Sequence, residues 1–149
     1  MNEMELLVRH AGGDRFSIRV RGHELVVDQP LADGGEDGGP TPTELFVASL
    51  AACVGFYAER FLRRHGLPAD GLRIDAHAAM SADRPARVAT VTLRVGGVAE
   101  LPENRRKGLL AVVEHCTVHN SIRQAPAIEI DLAASAGAEG PAVFVPDGP

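Results

Sequence analysis

The chain has two cysteines, one lysine and no bulk positive charge, and each shortage removes a class of function. Two cysteines in 149 residues cannot make a disulfide scaffold. With Lys107 as the sole lysine, Gly34-Gly35 and Gly38-Gly39 cannot open a phosphate-binding loop that ends in Lys-Ser or Lys-Thr. A formal net charge of −5 argues against nucleic acid or an anionic membrane as the main partner. No dinucleotide fingerprint follows a strand, and no serine sits in a nucleophile elbow. The longest apolar stretch, Leu45 to Ala58, is shorter than a membrane span and is broken by Ser49 and Gly55. The start, Met1 to Glu5, carries acid where a signal peptide needs positive charge. What remains is an ordinary globular composition, 45% hydrophobic and 23% charged, long enough to bury a core. A soluble, cytoplasmic, single domain over residues 1–149 is expected.

Periodicity orders the elements. Leu6 and Val8 alternate with polar neighbours, Gly12-Gly13-Asp14 supplies a turn, and Phe16, Ile18 and Val20 alternate with Ser17, Arg19 and Arg21. A third short strand spans Glu24 to Asp28, completing an antiparallel meander. Residues 29–41, rich in Gly and Pro, are expected to form a mobile loop. Thr41-Pro42-Thr43-Glu44 then fits a helix start, with Thr41 as N-cap and Glu44 as the capping-box acid. Arg63, Arg64, His65, Gly66 and Pro68 mark its end. Residues 45–58 are apolar on nearly every face, which predicts a first half buried on most sides. Two strands follow around Leu72–His77 and Ala89–Val95, with a hairpin tip at Ala82 to Pro85. Pro102 opens a second helix whose Leu109, Val112, Val113 and Cys116 fall on one face. Residues 117–124 fit a further short helix, and Ile128, Ile130 and Leu132 a last strand. The tail from Ala134 is expected to be loosely held apart from Val143-Phe144-Val145. The order βββ-α-ββ-α-(α)-β is α+β with mostly antiparallel sheet.

Three readings are open for Cys53 and Cys116: inert core thiols, metal ligands or a redox pair. A metal site is disfavoured, because only two thiolates exist and neighbouring His115 and Cys116 leave a helix in different directions. A cysteine hydrolase using His119 and Asn120 lacks any family-specific context around either thiol.

That context belongs to another family. Gly39-Pro40-Thr41-Pro42-Thr43-Glu44-Leu45 leading to Ala51-Ala52-Cys53, and later Cys116-Thr117-Val118-His119-Asn120, resembles the OsmC/Ohr family of osmotically inducible and organic hydroperoxide resistance proteins. The resemblance implies an intertwined homodimer, with mostly antiparallel sheets around central helices. It implies a thiol-dependent peroxidase that reduces organic hydroperoxides to alcohols in oxidative-stress defence. Cys53 would be peroxidatic and Cys116 resolving through an intrachain disulfide. The reductant would be a dithiol such as a lipoyl group, with no bound cofactor and no metal. Phe46, Leu50, Phe56 and Tyr57 would wall an apolar substrate pocket, and His119 and Asn120 would support Cys116.

The match slips at the activating groups. Peroxidase members use an arginine held by a glutamate ten residues before the first cysteine, a place taken here by Thr43. Glu44, nine before Cys53, is either that holder or simply the helix cap. Arg15, one residue late after Gly12-Gly13, is the best candidate arginine, followed by Arg19 and Arg21. Cys53 itself lies well over 10 Å along the helix from its start, at about 1.5 Å per residue, so the helix dipole offers it little. The alternative is an OsmC-like dimer that binds a small ligand or senses redox state without efficient peroxidase activity.

Overall fold

The computed structural model describes residues 3–98 and 100–133, so the expectations for the tail lie outside the described residues. The chain divides into two compact units, one built on residues up to Pro42 together with the stretch from Ile128, the other on Thr43–Ala127.

In the first unit, β1 (Leu6–His10), β2 (Phe16–Val20) and β3 (His23–Val27) form an antiparallel meander in sequential order. Leu6 pairs with Val20 and Ile18 with Leu25, so the alternating apolar residues share one face of the sheet. Gly12 and Gly13 turn the first hairpin at φ 103° and 55°, where a side chain would be strained.

The Gly-rich segment after β3 is a loop, as its composition predicts. It carries a single 3-10 turn, Leu31–Asp33, and wraps around Asp28, which is 1% exposed. The Asp28 carboxylate accepts backbone N–H groups from Gln29 at 2.8 Å, Gly38 at 2.9 Å and Glu36 at 3.3 Å. Its glycines serve close approach: a Cβ on Gly35 would collide with the carbonyl of Gln29, and one on Gly39 with that of Val26.

The second unit begins with α1 (Pro42–Arg64), continues through the hairpin β4 (Arg73–Met80) and β5 (Val88–Gly96), and ends in α2 (Glu103–Val113) and α3 (Thr117–Arg123). The α1 terminus follows its sequence signals. Leu67 N–H bonds to Leu62 O and Gly66 N–H to Arg63 O, with Gly66 at φ 65°, before Pro68 ends the run. The core gathers Leu50, Val54, Ala58, Phe61 and Leu62 of α1 with Leu109 and Val113 of α2 and with Cys116. Each large member contributes about 1.5–3 kcal/mol through burial.

Two expectations need correction. The first half of α1 is not buried on most sides: its buried residues form one stripe, while Phe46 is 42% and Phe56 54% exposed. The described elements supply packing for one face of an all-round apolar helix and leave the other uncovered. Nor do Ile128, Ile130 and Leu132 form a strand. Their alternation is intact, but no described strand pairs with them, and all three are exposed. By length and composition α1 is also apolar enough to cross a membrane, a test that the shorter run Leu45–Ala58 does not meet. A core helix passes the same test, and the stripe of α1 is packed as one.

Backbone N–H groups, led by that of Gly38, hold the Asp28 carboxyl below its usual range, against the opposing push of burial, with Arg15 adding to the lowering. The native loop therefore favours the ionised form. Its stabilisation is fully present above the ordinary aspartate value of about 4 and is lost as pH falls through the lowered native value. Intrinsic-rate-corrected amide protection at Glu36 and Gly38 is expected to fall on acidification below about pH 4, and Asp28→Ala should remove it at neutral pH. Unchanged protection in Asp28→Ala would contradict this account of the loop.

Candidate functional site

Cys53 stands in the middle of α1 and Cys116 directly before α3, and folding of the second unit brings them together. Cys116 is fully buried in the core cluster, and Cys53 is half-buried and packed against that same cluster. Both are free thiols. The α1 stripe places Cys53 beside the core: Leu50 and Val54 pack inward, and Cys53, between them in sequence, rests against the cluster's edge.

Cys116 occupies the N-cap of α3, a place where Ser, Thr, Asp or Asn would be usual. Its sulfur accepts the His119 N–H at 3.4 Å, and its carbonyl accepts the Asn120 N–H at 2.9 Å. The Asn120 side chain donates to His115 O at 3.0 Å, tying the α2 end to the α3 start. Burial pushes the Cys116 thiol up, the His119 N–H opposes this, and neighbouring Cys53 adds to the rise. At rest Cys116 is therefore a protonated, sheltered thiol.

Tyr57 lies one turn beyond Cys53, and its hydroxyl meets Thr117 Oγ1 at 2.9 Å. Phe56 stands edge-on to it at 5.6 Å between ring centroids, and the Arg60 guanidinium sits over Phe56 at 5.3 Å. Of the residues expected to wall a pocket, Leu50 lines a cleft of about 1020 Å³, whereas Phe46, Phe56 and Tyr57 do not. That cleft lies among α1, β5 and α2. Leu50, Val54, Val91, Leu93, Leu109 and Val113 give it an apolar floor. Arg94, Arg106 and His119 add polar groups, but neither cysteine lines it.

Glu44, Arg15, Arg19 and Arg21 are the residues expected to activate Cys53. Glu44 is an exposed residue in the first turn of α1. Arg15 belongs to the other unit, where its Nη2 bonds Glu36 at 2.6 Å and its Nε faces Asp28 at 3.7 Å. That Nε is buried and has no hydrogen-bond partner among the described residues. Arg19 sits on β2 and Arg21 in the turn after it, at φ 52°. No group of three or more metal-ligating side chains occurs among the described residues.

Sequence reasoning missed three residues. Thr117 lies inside the second cysteine motif, where nothing local sets it apart from Cys116. Asp28 and Glu36, the two acids that engage Arg15, carried no local signal, since their pairing depends on how the loop folds back.

A family model described as OsmC-like protein matches residues 34–131. Among solved structures, an osmotic stress induced and detoxification response protein from Psychrobacter arcticus 273-4 aligns with a TM-score of 0.71 at 25% identity, over 81% of this chain and 88% of its own. The organic hydroperoxide resistance protein OsmC of Legionella pneumophila aligns at 0.63 and 21% identity, over 83% and 90%. OhrB of Bacillus subtilis, likewise an organic hydroperoxide resistance protein, aligns at 0.58 and 21%, over 83% and 93%. At that identity the last two speak for the fold. Comparison with curated protein sequences gives no match.

The different burial of the two thiols has a direct consequence. In the native protein iodoacetamide is expected to modify Cys53 first. Cys116 should react only slowly, and faster as pH rises above the ordinary thiol value of about 8.5. Peptide mapping checks this, and equal labelling of both at neutral pH would contradict it.

Proposed function

The chain belongs to the OsmC family, and from that membership we propose that it is a cytoplasmic thiol-dependent peroxidase acting on organic hydroperoxides in oxidative-stress defence. Cys53 is the peroxidatic and Cys116 the resolving cysteine, and a dithiol of the lipoyl kind returns the pair to its reduced state. The observation that carries this reading is the pairing itself: a half-buried thiol packed against the core cluster that holds a fully buried one. A peroxidatic thiol needs access to substrate. A resolving thiol needs shelter from oxidation until it acts, because the sulfenic acid is the last rung that a neighbouring thiol can rescue. The apolar neighbours of Cys53 on α1, Leu50 and Val54 among them, favour carbon-bearing hydroperoxides over hydrogen peroxide. Arg15 is the proposed activating cation and Glu44 its proposed support, with His119 and Asn120 positioning Cys116.

We further propose that the working unit is a homodimer. Phe46 and Phe56 on α1, Leu6 and Val8 on β1, and Ile128, Ile130 and Leu132 are all exposed, and a second copy is the proposed cover for these apolar side chains. The particle in solution should have twice the chain mass by light scattering, and Phe56→Glu or Ile130→Glu should shift it toward the monomer. A monomeric parent protein would sink the proposal.

The cleft supports a second reading, a ligand-binding or redox-sensing dimer, because neither cysteine lines it. Intact mass after one equivalent of oxidant separates the two. The peroxidase reading expects rapid loss of both thiols with a decrease of about 2 Da per chain, faster with cumene hydroperoxide than with hydrogen peroxide. Cys53→Ser should abolish the reaction, and Cys116→Ser should stop at a sulfenic acid on Cys53. Thiols that persist for minutes, or that react alike with both oxidants, would move the assignment to the ligand-binding reading.

A further inference from the structure

Resting on the assignment of Cys53 and Cys116 above, we propose that the hydrogen bond between Tyr57 and Thr117 is a clamp that positions the two cysteines for disulfide closure. Tyr57 shares a face of α1 with Cys53, four residues apart, and Thr117 directly follows Cys116. Their hydroxyls meet at 2.9 Å across a sequence separation of 60 residues. The two residues that flank the reacting pair are thus joined to each other. Closure is demanding in geometry: the sulfurs must reach about 2.05 Å with a dihedral near 90° and Cα atoms within about 7 Å. Cys53 lies on a long helix packed along its length, so the shorter element, the turn into α3, must be held to it. The ring of Tyr57 is braced by Phe56, which Arg60 covers, and Thr117 O accepts the Ser121 hydroxyl at 2.9 Å. Tyr57 and Thr117 are positioning residues, since neither needs to touch the hydroperoxide.

The chemistry that they serve balances. The Cys53 thiolate attacks the terminal peroxide oxygen, the O–O bond breaks, and the alkoxide takes a proton to leave as an alcohol. Cys53 becomes a sulfenic acid. The Cys116 sulfur then attacks the Cys53 sulfur, the S–O bond breaks, and water leaves with the Cys116 proton. Two thiols are oxidised to one disulfide and the hydroperoxide is reduced. The clamp acts on the second step.

The test follows sulfenic acid formation and disulfide closure separately by rapid quench, dimedone trapping and intact mass, in Tyr57→Phe, Thr117→Val and the double variant. Each single variant is expected to lower the ratio of closure to sulfenic acid formation about tenfold, about 1.4 kcal/mol and within the range of one hydrogen bond. The double variant should lower it no further. More dimedone adduct and more sulfinic acid under excess hydroperoxide should accompany the loss. Thr117→Ser, which keeps the hydroxyl, should restore the ratio. A merely structural bond would lower thermal stability and leave the ratio alone, which overturns the proposal. Oxidation by glutathione disulfide keeps the test independent of peroxidase activity. There the clamp predicts that mixed disulfide accumulates in Tyr57→Phe, and equal closure in variant and parent overturns it. A parent protein that closes its disulfide with glutathione yet ignores hydroperoxides would defeat the peroxidase assignment and leave the clamp to be judged on closure alone.

Discussion

One constraint organises the larger unit: α1 must bury a single stripe and still present a thiol. Leu50, Val54, Ala58, Phe61 and Leu62 recur at the period of a helix face and lock against Leu109, Val113 and Cys116. Cys53 falls one step off that stripe, so the packing that fixes the helix also fixes the thiol at the border between core and solvent. Removing a stripe residue such as Leu62 would cost about 2–5 kcal/mol and would move Cys53 as well. The position of the second thiol follows from the same cluster, since Cys116 is a member of it. Reactivity and stability are therefore not separable along this face.

In the proposed reaction the two cysteines divide between them what one could not do. Exposure gives Cys53 access, and burial holds Cys116 protonated and out of reach. The cap of α3 links this chemistry to local structure. A cysteine in a cap position is a weak acceptor, but its sulfur is thereby aimed by the backbone of the helix that follows. A serine there would cap the helix better and could not serve as the proposed resolving thiol.

Where elements depend on neighbours in sequence, the chain was legible. The meander, the ends of α1 and the apolar face of α2 follow from alternation, charge, Gly66 and Pro68, all of which act within a few residues. The two cysteine contexts were equally plain. Legibility failed where a structure needs something distant. Ile128, Ile130 and Leu132 carry a strand's pattern, but a strand also needs an edge to pair with. Residues 45–58 read as buried because their apolarity runs round the whole helix, whereas the described elements cover one stripe of it. The glycines of residues 34–39 read as slack, whereas two of them mark places with no room for a side chain. Arg15 could be named from its turn, but its acidic neighbours Asp28 and Glu36 could not, because only the folded loop brings them there.

The loop around Asp28 changes how the molecule should be handled. Exposed, glycine-rich connections between a sheet and a helix are ordinarily where one would insert a tag, graft a peptide or permute the termini. Here such a cut would fall within a shell of amides drawn onto one carboxylate. An insertion between Gln29 and Gly38 would have to carry those donors apart or leave a buried anion without them. The hairpin tip between β4 and β5 is the better choice, because its ion pair Arg87–Asp83 is solvent-exposed and the hydrogen bonds of Ser81 and Arg87 run within the tip itself.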